Sequence, residues 1–235
     1  MKKFIITAGG TSEKIDNVRK ITNSSSGKLG CVIANAILEE IDDAKIYYIC
    51  SRNSIRPDNN RVKVLEIDGV IDLKNRVELL LKNDNIDFFI HSMAVSDYMT
   101  DYVTTLSLME ESYRKNNNLD NVERLCGNKL SSYEDNLVVV LKQTPKVISI
   151  IKDVSPKTFL VGFKLLDGVC DEKLIYVGKE LMKKNNCDVV VANDLANIRN
   201  GEHTAYLLDK DNNVSTAKGK DDIAKKLVRR FKYER

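Results

Sequence analysis

The segment from Ile5 to Gly30 constrains this chain more than any other stretch. An apolar run, Lys3–Ala8, reads as a buried strand and ends on Gly9-Gly10. A polar loop containing Arg19 and Asn23 follows. Ser24-Ser25-Ser26-Gly27 then leads into Lys28–Glu40, where Leu29, Val32, Ile33, Ala36, Ile37 and Leu38 recur at helical spacing. A strand that hands over to a helix in this way belongs to an α/β fold. The helix start presents unpaired N–H groups and a positive dipole end, which suit a phosphorylated ligand. The two glycines let backbone approach whatever sits there.

The rest of the chain repeats the alternation. Lys45–Cys50, Val62–Ile67 and Asp87–Met93 read as strands, with a helix over Val70–Leu81. Lys157–Phe163 and Cys187–Ala192 are further strands, separated by a Lys-rich amphipathic helix, Asp171–Asn185. Thr144-Pro145-Lys146 opens another helix, with proline near its first turn. Thr204–Leu208 and a helix over Asp221–Phe231 complete the chain. The prediction is a Rossmann-like, mostly parallel sheet flanked by helices, in a single domain spanning 1–235. The polar, tyrosine-bearing stretch 100–128 reads as an inserted flap before a β-like run, Leu137–Leu141. Ligands of parallel sheets bind beyond the carboxyl ends of strands. Polar chemistry gathers at such ends: Ala8-Gly9-Gly10-Thr11, Ser92–Asp97, Gly162-Phe163-Lys164 and Ala192-Asn193-Asp194.

Composition excludes several classes. With 30% charged residues and a net charge of only +3, the chain has the balance of neither a nucleic-acid binder nor an acidic tail. No apolar run approaches the length of a membrane span, and the N-terminus lacks a signal-like core, so a cytoplasmic protein is expected. The five cysteines have no C-x-x-C spacing and read as reduced, small hydrophobes. Only His91 and His203 are available to serve a thiol or a His/Cys metal cluster, so neither a catalytic thiol nor such a cluster is expected.

Three generic motifs compete for the opening segment. A dinucleotide fingerprint needs G-x-G-x-x-G between strand and helix, which Gly9-Gly10 does not supply. A P-loop needs an earlier glycine and a hydroxyl after the lysine, and Ser26-Gly27-Lys28-Leu29 has neither. A Ser/Gly-rich helix cap with no ligand is the third.

Together, Ile6-Thr-Ala-Gly-Gly-Thr-x-Glu13, Asp16-x-Val-Arg19 and Ile21-Thr-Asn-Ser-Ser-Ser-Gly-Lys-Leu-Gly30 resemble the signature of the phosphopantothenate–cysteine ligases. Ala94-Val-Ser-Asp97, Thr144-Pro-Lys-Val-Ile148, Val161-Gly-Phe163 and Val191-Ala-Asn-Asp194 extend the resemblance in collinear order. It implies an amide formed in two steps, through an acyl-nucleotide, from 4′-phosphopantothenate, L-cysteine and a nucleoside triphosphate. Mg2+ and a homodimer are implied as well, with CTP favoured over ATP. No decarboxylase domain precedes Met1, so the stand-alone form is expected.

Carried onto this sequence, the resemblance gives Asn23 the acyl-nucleotide intermediate and Arg19 a phosphate or carboxylate. Lys129 falls in a mobile loop, about 127–136, that closes over the reaction. Ser131 and Ser132 stand where the family has lysines, which leaves turnover of the intermediate resting more heavily on Lys129. Asp97 falls near the base or the metal, whose ligands stay otherwise open. Pro145, Lys146, Val147 and Ile148 would offer backbone groups to the nucleotide, and Phe163 would pack on base or ribose. Lys179 and Lys183, four apart on one helix face, would take phosphates. Asn193 closes the pocket, and Gly9, Gly10, Thr11, Ser25, Ser26, Gly27 and Ala94 complete the expected binding set. Two other classes remain: a Rossmann-type NAD(P)-dependent oxidoreductase, disfavoured by the missing fingerprint, and a nucleotide-binding protein without catalysis. No partner role for nucleic acid or membrane is expected.

Overall fold

The computed structural model describes residues 1–125, 129–131, 133–201 and 203–234. Strand β1 (Lys2–Ala8) leads into a small hairpin, β2 (Ser12–Lys14) and β3 (Lys20–Thr22), before helix α1 (Lys28–Glu40). There follow β4 (Ala44–Ser51), β5 (Val62–Ile67), α2 (Val70–Asn83) and β6 (Phe88–His91). Next come β7 (Tyr98–Thr105), α3 (Leu106–Asn116), β8 (Leu137–Gln143), α4 (Val147–Val154) and β9 (Phe159–Leu166). The last third holds α5 (Asp171–Asn185), β10 (Val189–Asp194), α6 (Leu195–Arg199), β11 (Thr204–Asp209), β12 (Val214–Lys218) and α7 (Gly219–Tyr233).

Eight strands form one sheet in the order β12-β11-β10-β9-β6-β1-β4-β5. All neighbours from β5 to β10 pair in parallel, while β11 and β12 run antiparallel at one edge. The chain winds outward from β1 through β4 to β5, then returns to place β6 on the other side of β1. The direction of winding therefore reverses between β1 and β6, and a crevice opens there at the carboxyl ends of the strands.

Helices cover both faces, so the central strands are apolar in both parities. Phe4, Ile6 and Ala8 of β1 pack towards α1 and α7, against Ile33, Ile37 and Phe231. Ile5 faces α2, α4 and α5, in a cluster with Leu73, Val77, Phe89 and Ile151. Phe4 stacks on Phe88 with ring centroids 4.7 Å apart, and Phe231 closes edge-on from α7.

The middle of the chain differs from the sequence-based outline. The β-like run Leu137–Leu141 lies in β8, which does not join the main sheet. It pairs antiparallel with β7, from Tyr98 opposite Gln143 to Thr105 opposite Leu137 with a one-residue register shift between Thr100 and Tyr102, as a separate ribbon that carries α3. The ribbon's strands thus start at Tyr98, before the expected flap at 100–128, and end at Gln143, after it. The β2–β3 hairpin, α6 and β12 lie outside the elements that the sequence pattern predicts. No helix among the described residues is long and apolar enough to cross a membrane.

Candidate functional site

A cleft of about 490 Å³ lies over the crevice between β1 and β6. Its walls are Ser24–Leu29 at the start of α1, His91–Asp97 at and beyond the end of β6 and Thr144–Ile148 before and within α4. Phe163, Lys164 and Leu165 of β9, Leu181 of α5, Asn193 of β10, Ile198, His203 and Lys220 complete it. Parallel pairing puts the ends of β1, β6, β9 and β10 at one edge, which brings segments more than 150 residues apart in sequence into one wall. Of the expected residues, Ser25, Ser26, Gly27, Ala94, Asp97, Pro145, Lys146, Val147, Ile148, Phe163 and Asn193 line this cleft.

The start of α1 is open. Gly27, the N-cap residue, adopts φ 75° and has no side chain to cap the helix, and the first turn holds no acidic residue. Only Ser26 Oγ approaches a first-turn N–H, that of Lys28, at 3.4 Å, so an anion meets N–H groups and the positive end of the dipole. Charge adds to this. Among the described residues the lining holds one carboxylate, Asp97, and Lys146 is ion-paired to it. Lys28, Lys164 and Lys220 line the same space without a carboxylate facing them from its walls. Met93, Val95, Ile148, Phe163 and Leu181 supply an apolar surface beside these cations. The combination suits a polyanion with an apolar or aromatic portion.

Burial lowers the pKa of both histidines at the cleft. His91 Nδ1 lies 2.8 Å from Thr7 Oγ1, and burial pushes its pKa down to about 4. Burial, with the charge of Lys220 beside it, also lowers His203. Asn193 is 5% exposed, and its Oδ1 has no hydrogen-bond partner. Its neighbour Asp194 is occupied: it accepts from the N–H groups of Gly168, Val169, Ala196 and Asn197, and so caps α6. Those N–H bonds hold its carboxyl below the usual range.

Gly9, Gly10 and Thr11 are buried and do not line the cleft. At Gly9, with φ 83°, a Cβ would fall 1.9 Å from Ser54 Oγ. At Gly10 it would fall 1.9 Å from the Asn23 carbonyl oxygen. The two glycines thus admit the chain's own backbone and side chains instead of a ligand. Thr11 braces the site from behind: its Oγ1 accepts from Ser96 N–H, and its carbonyl accepts from Asn23 N–H at 3.1 Å.

Asn23 is half-buried, directly before the cleft residue Ser24. Arg19 and Lys129 lie outside the lining but meet through a shared anchor. Asp16, whose side chain is 1% exposed, accepts from the N–H groups of Val18, Arg19 and Leu130. These bonds, chiefly the one from Arg19 N–H, keep its carboxyl below the ordinary range. Arg19 donates to the Leu130 carbonyl at 3.0 Å. Leu130 is therefore gripped by both backbone groups, next to the exposed Lys129. Arg19, expected on a substrate anion, directs part of its guanidinium to the chain, to the Leu130 carbonyl and the Asp16 carboxylate. Of the expected mobile loop 127–136, residues 127, 128 and 132 lie outside the described residues, Ser132 among them.

Lys179 and Lys183 do not line the cleft. The α5 residue that does is Leu181, and residues two apart on a helix point about 200° apart. The cations come from Lys28, Lys164 and Lys220 instead. Lys28 and Lys164 stood inside motifs that sequence reasoning had singled out. His203 and Lys220 carried no motif signal, because β11 and β12 are what return them to this edge.

The family profile of the DNA/pantothenate metabolism flavoprotein C-terminal domain matches residues 1–115 and 121–233. The coenzyme A biosynthesis bifunctional protein CoaBC of Thermococcus kodakarensis is 32% identical over 99% of this chain and 48% of its own length. The chain thus spans about half the length of that curated relative. The crystal structure of the DNA/pantothenate metabolism flavoprotein from Streptococcus pneumoniae is 34% identical. It covers 99% of this chain and 98% of its own, with a TM-score of 0.87. A Cab2 mutant in complex with phosphopantothenate-cysteine shares the fold at TM-score 0.70 and 17% identity, over 98% of this chain and 86% of its own. With nearly its whole length matched by one profile and by a solved chain of the same size, the protein belongs to the DNA/pantothenate metabolism flavoprotein C-terminal domain family.

Proposed function

We propose that this chain ligates 4′-phosphopantothenate to L-cysteine at the expense of a nucleoside triphosphate. The observation that carries the reading is the cleft: a helix start free of acidic residues and three lysines around a space whose single carboxylate is already paired to Lys146. The matched family and the coenzyme A biosynthesis role named for the Thermococcus relative support it.

In the first step a carboxylate oxygen of phosphopantothenate attacks the α-phosphorus, and the bond to pyrophosphate breaks. In the second the cysteine amine attacks the acyl carbon, loses a proton and displaces the nucleoside monophosphate. Both nucleophiles belong to substrates, so the chain's task is positioning and charge stabilisation. A carboxylate and a triphosphate repel each other. Lys28, Lys164 and the α1 N-terminus offset that repulsion. Phe163 and Ile148 offer an apolar seat for the base. Asn23 holds the acyl-nucleotide, and Lys129 closes over it, with Asp16 and Arg19 fixing the backbone beside it. The nucleotide is taken as CTP on the motif resemblance.

No three His, Cys, Asp or Glu side chains converge as metal ligands among the described residues. Asp97, the candidate ligand, is engaged by Lys146. The residues present do not fit a Mg2+ ion held by the chain itself, so no step is routed through one. The β7–β8 ribbon leaves Tyr98 and Leu141 exposed, and an isolated two-stranded ribbon is marginal in water. That surface supports the homodimer.

The test is pyrophosphate release with phosphopantothenate and cysteine, run with CTP and ATP in parallel. Release with CTP above ATP is expected, and none with either nucleotide would sink the reading. Asn23→Asp and Lys129→Gln should fold normally and lose turnover. A variant with the wild-type rate removes that residue from the mechanism.

A further inference from the structure

Two groups from the end of the chain reach the cleft with no role in the reaction as derived. Lys220 is the second residue of α7, and His203 directly precedes β11. Because β11 and β12 are both antiparallel to their predecessors, α7 starts at the same sheet edge as α1. The two helices lie side by side in the same direction, with Glu40 and Lys232 ion-paired near their far ends. Two neighbouring helices thus begin at one cleft, with Lys28 on the first and Lys220 on the second.

Lys220 Nζ lies 3.2 Å from His203 Nδ1. An ammonium carries only donors, so Nδ1 accepts and the ring proton sits on Nε2. The N–H groups that remain on Lys220, and Nε2–H of His203, are all donors and call for an acceptor. A second observation points to a ligand in the same place. Asn193, paired with Ala205 two residues past His203, is 5% exposed, lines the cleft and has an Oδ1 without a partner. It calls for a donor. A phosphate ester with a hydroxyl or amide N–H close to the phosphate satisfies both requirements.

We propose that Lys220 and His203 form a phosphate-ester subsite at the α7 end of the cleft, with Asn193 accepting from a hydroxyl or amide of the same ligand. The proposal rests on the ligase reading for its ligands, which offer two phosphate sources: the 4′-phosphate of phosphopantothenate and the phosphates of the nucleotide. Binding calorimetry on the full chain separates them. Wild type, Lys220→Met and His203→Gln are titrated with 4′-phosphopantothenate, with unphosphorylated pantothenate and with CTP. Lys220→Met should weaken one phosphorylated ligand by roughly 10- to 100-fold, the scale of a charged hydrogen bond, while binding pantothenate as wild type does. His203→Gln should weaken the same ligand by a smaller factor. Whichever ligand responds is the source. The proposal is overturned if both variants bind both phosphorylated ligands as tightly as wild type. It is equally overturned if pantothenate weakens in step, which would mark a structural role. Binding needs no turnover: a chain that releases no pyrophosphate can still pass this test, and unchanged binding leaves the ligase reading intact. A wild type that binds neither phosphorylated ligand ends both.

Discussion

Gly10→Ala tests whether the glycine turn serves the chain or a ligand. Gly10 bridges to Ala94 at the end of β1, and its added Cβ would lie 1.9 Å from the Asn23 carbonyl oxygen. Real Cβ atoms essentially never come within 3.0 Å, so one side must retreat by about 1.1 Å. The Gly10 side is tied down: Ala94 N–H donates to the Gly9 carbonyl at 2.8 Å, and Thr11 N–H to the Ala94 carbonyl at 3.1 Å. The Asn23 side is looser, since β3 before it is exposed along its whole length. The Asn23 segment should therefore yield. Overpacking of this kind costs about 1–3 kcal/mol, a fall in Tm of roughly 2–12 °C for a chain of this size. Displacing a reacting group by that distance costs on the order of 100-fold in turnover. Gly168→Ala is the control. At φ 66° it pays about 1–2 kcal/mol of left-handed strain, but nothing lies within 4 Å of its Cβ, so activity should survive. Thermal melts and the kcat and KM of pyrophosphate release are measured for both. Wild-type kcat in Gly10→Ala, or an equal loss in Gly168→Ala, would refute the reasoning.

Two further outcomes follow from the same contacts. Asp16→Asn cannot accept all three N–H bonds, so the Leu130 anchor should loosen. Limited proteolysis should then cut faster beside Lys129, and kcat should fall as it does in Lys129→Gln; unchanged cleavage with unchanged kcat would remove the anchor from the mechanism. His91 has a folded pKa of about 4 against an ordinary 6.5, because it is buried. The unfolded chain therefore binds that proton more readily, and the stability of the neutral form, fully present above pH 6.5, is lost as pH falls towards 4. The loss amounts to about 3 kcal/mol by pH 4. Urea melts at pH 7.5 and pH 4.5 should show it in wild type and not in His91→Gln, and equal slopes in the two proteins would count against it.

The strand ends were legible in the sequence because topology makes them so. A chain that alternates buried strands with amphipathic helices brings its carboxyl ends to one edge, and Ala94, Asp97, Phe163 and Asn193 follow from that alone. Phase was harder to read. The spacing of Lys179 and Lys183 correctly gives them a common face, but which face is set by Leu174, Gly178 and Met182, the buried stripe of α5. Gly178 was the available cue, since a Cβ there would lie 2.5 Å from Leu208 Cδ1 on the sheet. The glycine pair after β1 was ambiguous for a different reason. A glycine reports that something approaches closely, not what approaches. The partner of Gly10 is Asn23, which arrives only because two three-residue polar strands fold into a hairpin, and such strands have no periodicity to detect. Lys220 depends on still less local information: its place beside Lys28 requires two antiparallel strands to pair at the far edge and turn α7 back along α1. The local half of the cleft thus lies in motifs, and the cationic end opposite it is a product of tertiary pairing. A substitution in β12 that shifts its register would move Lys220 away from the cleft while leaving every motif of the opening segment unchanged.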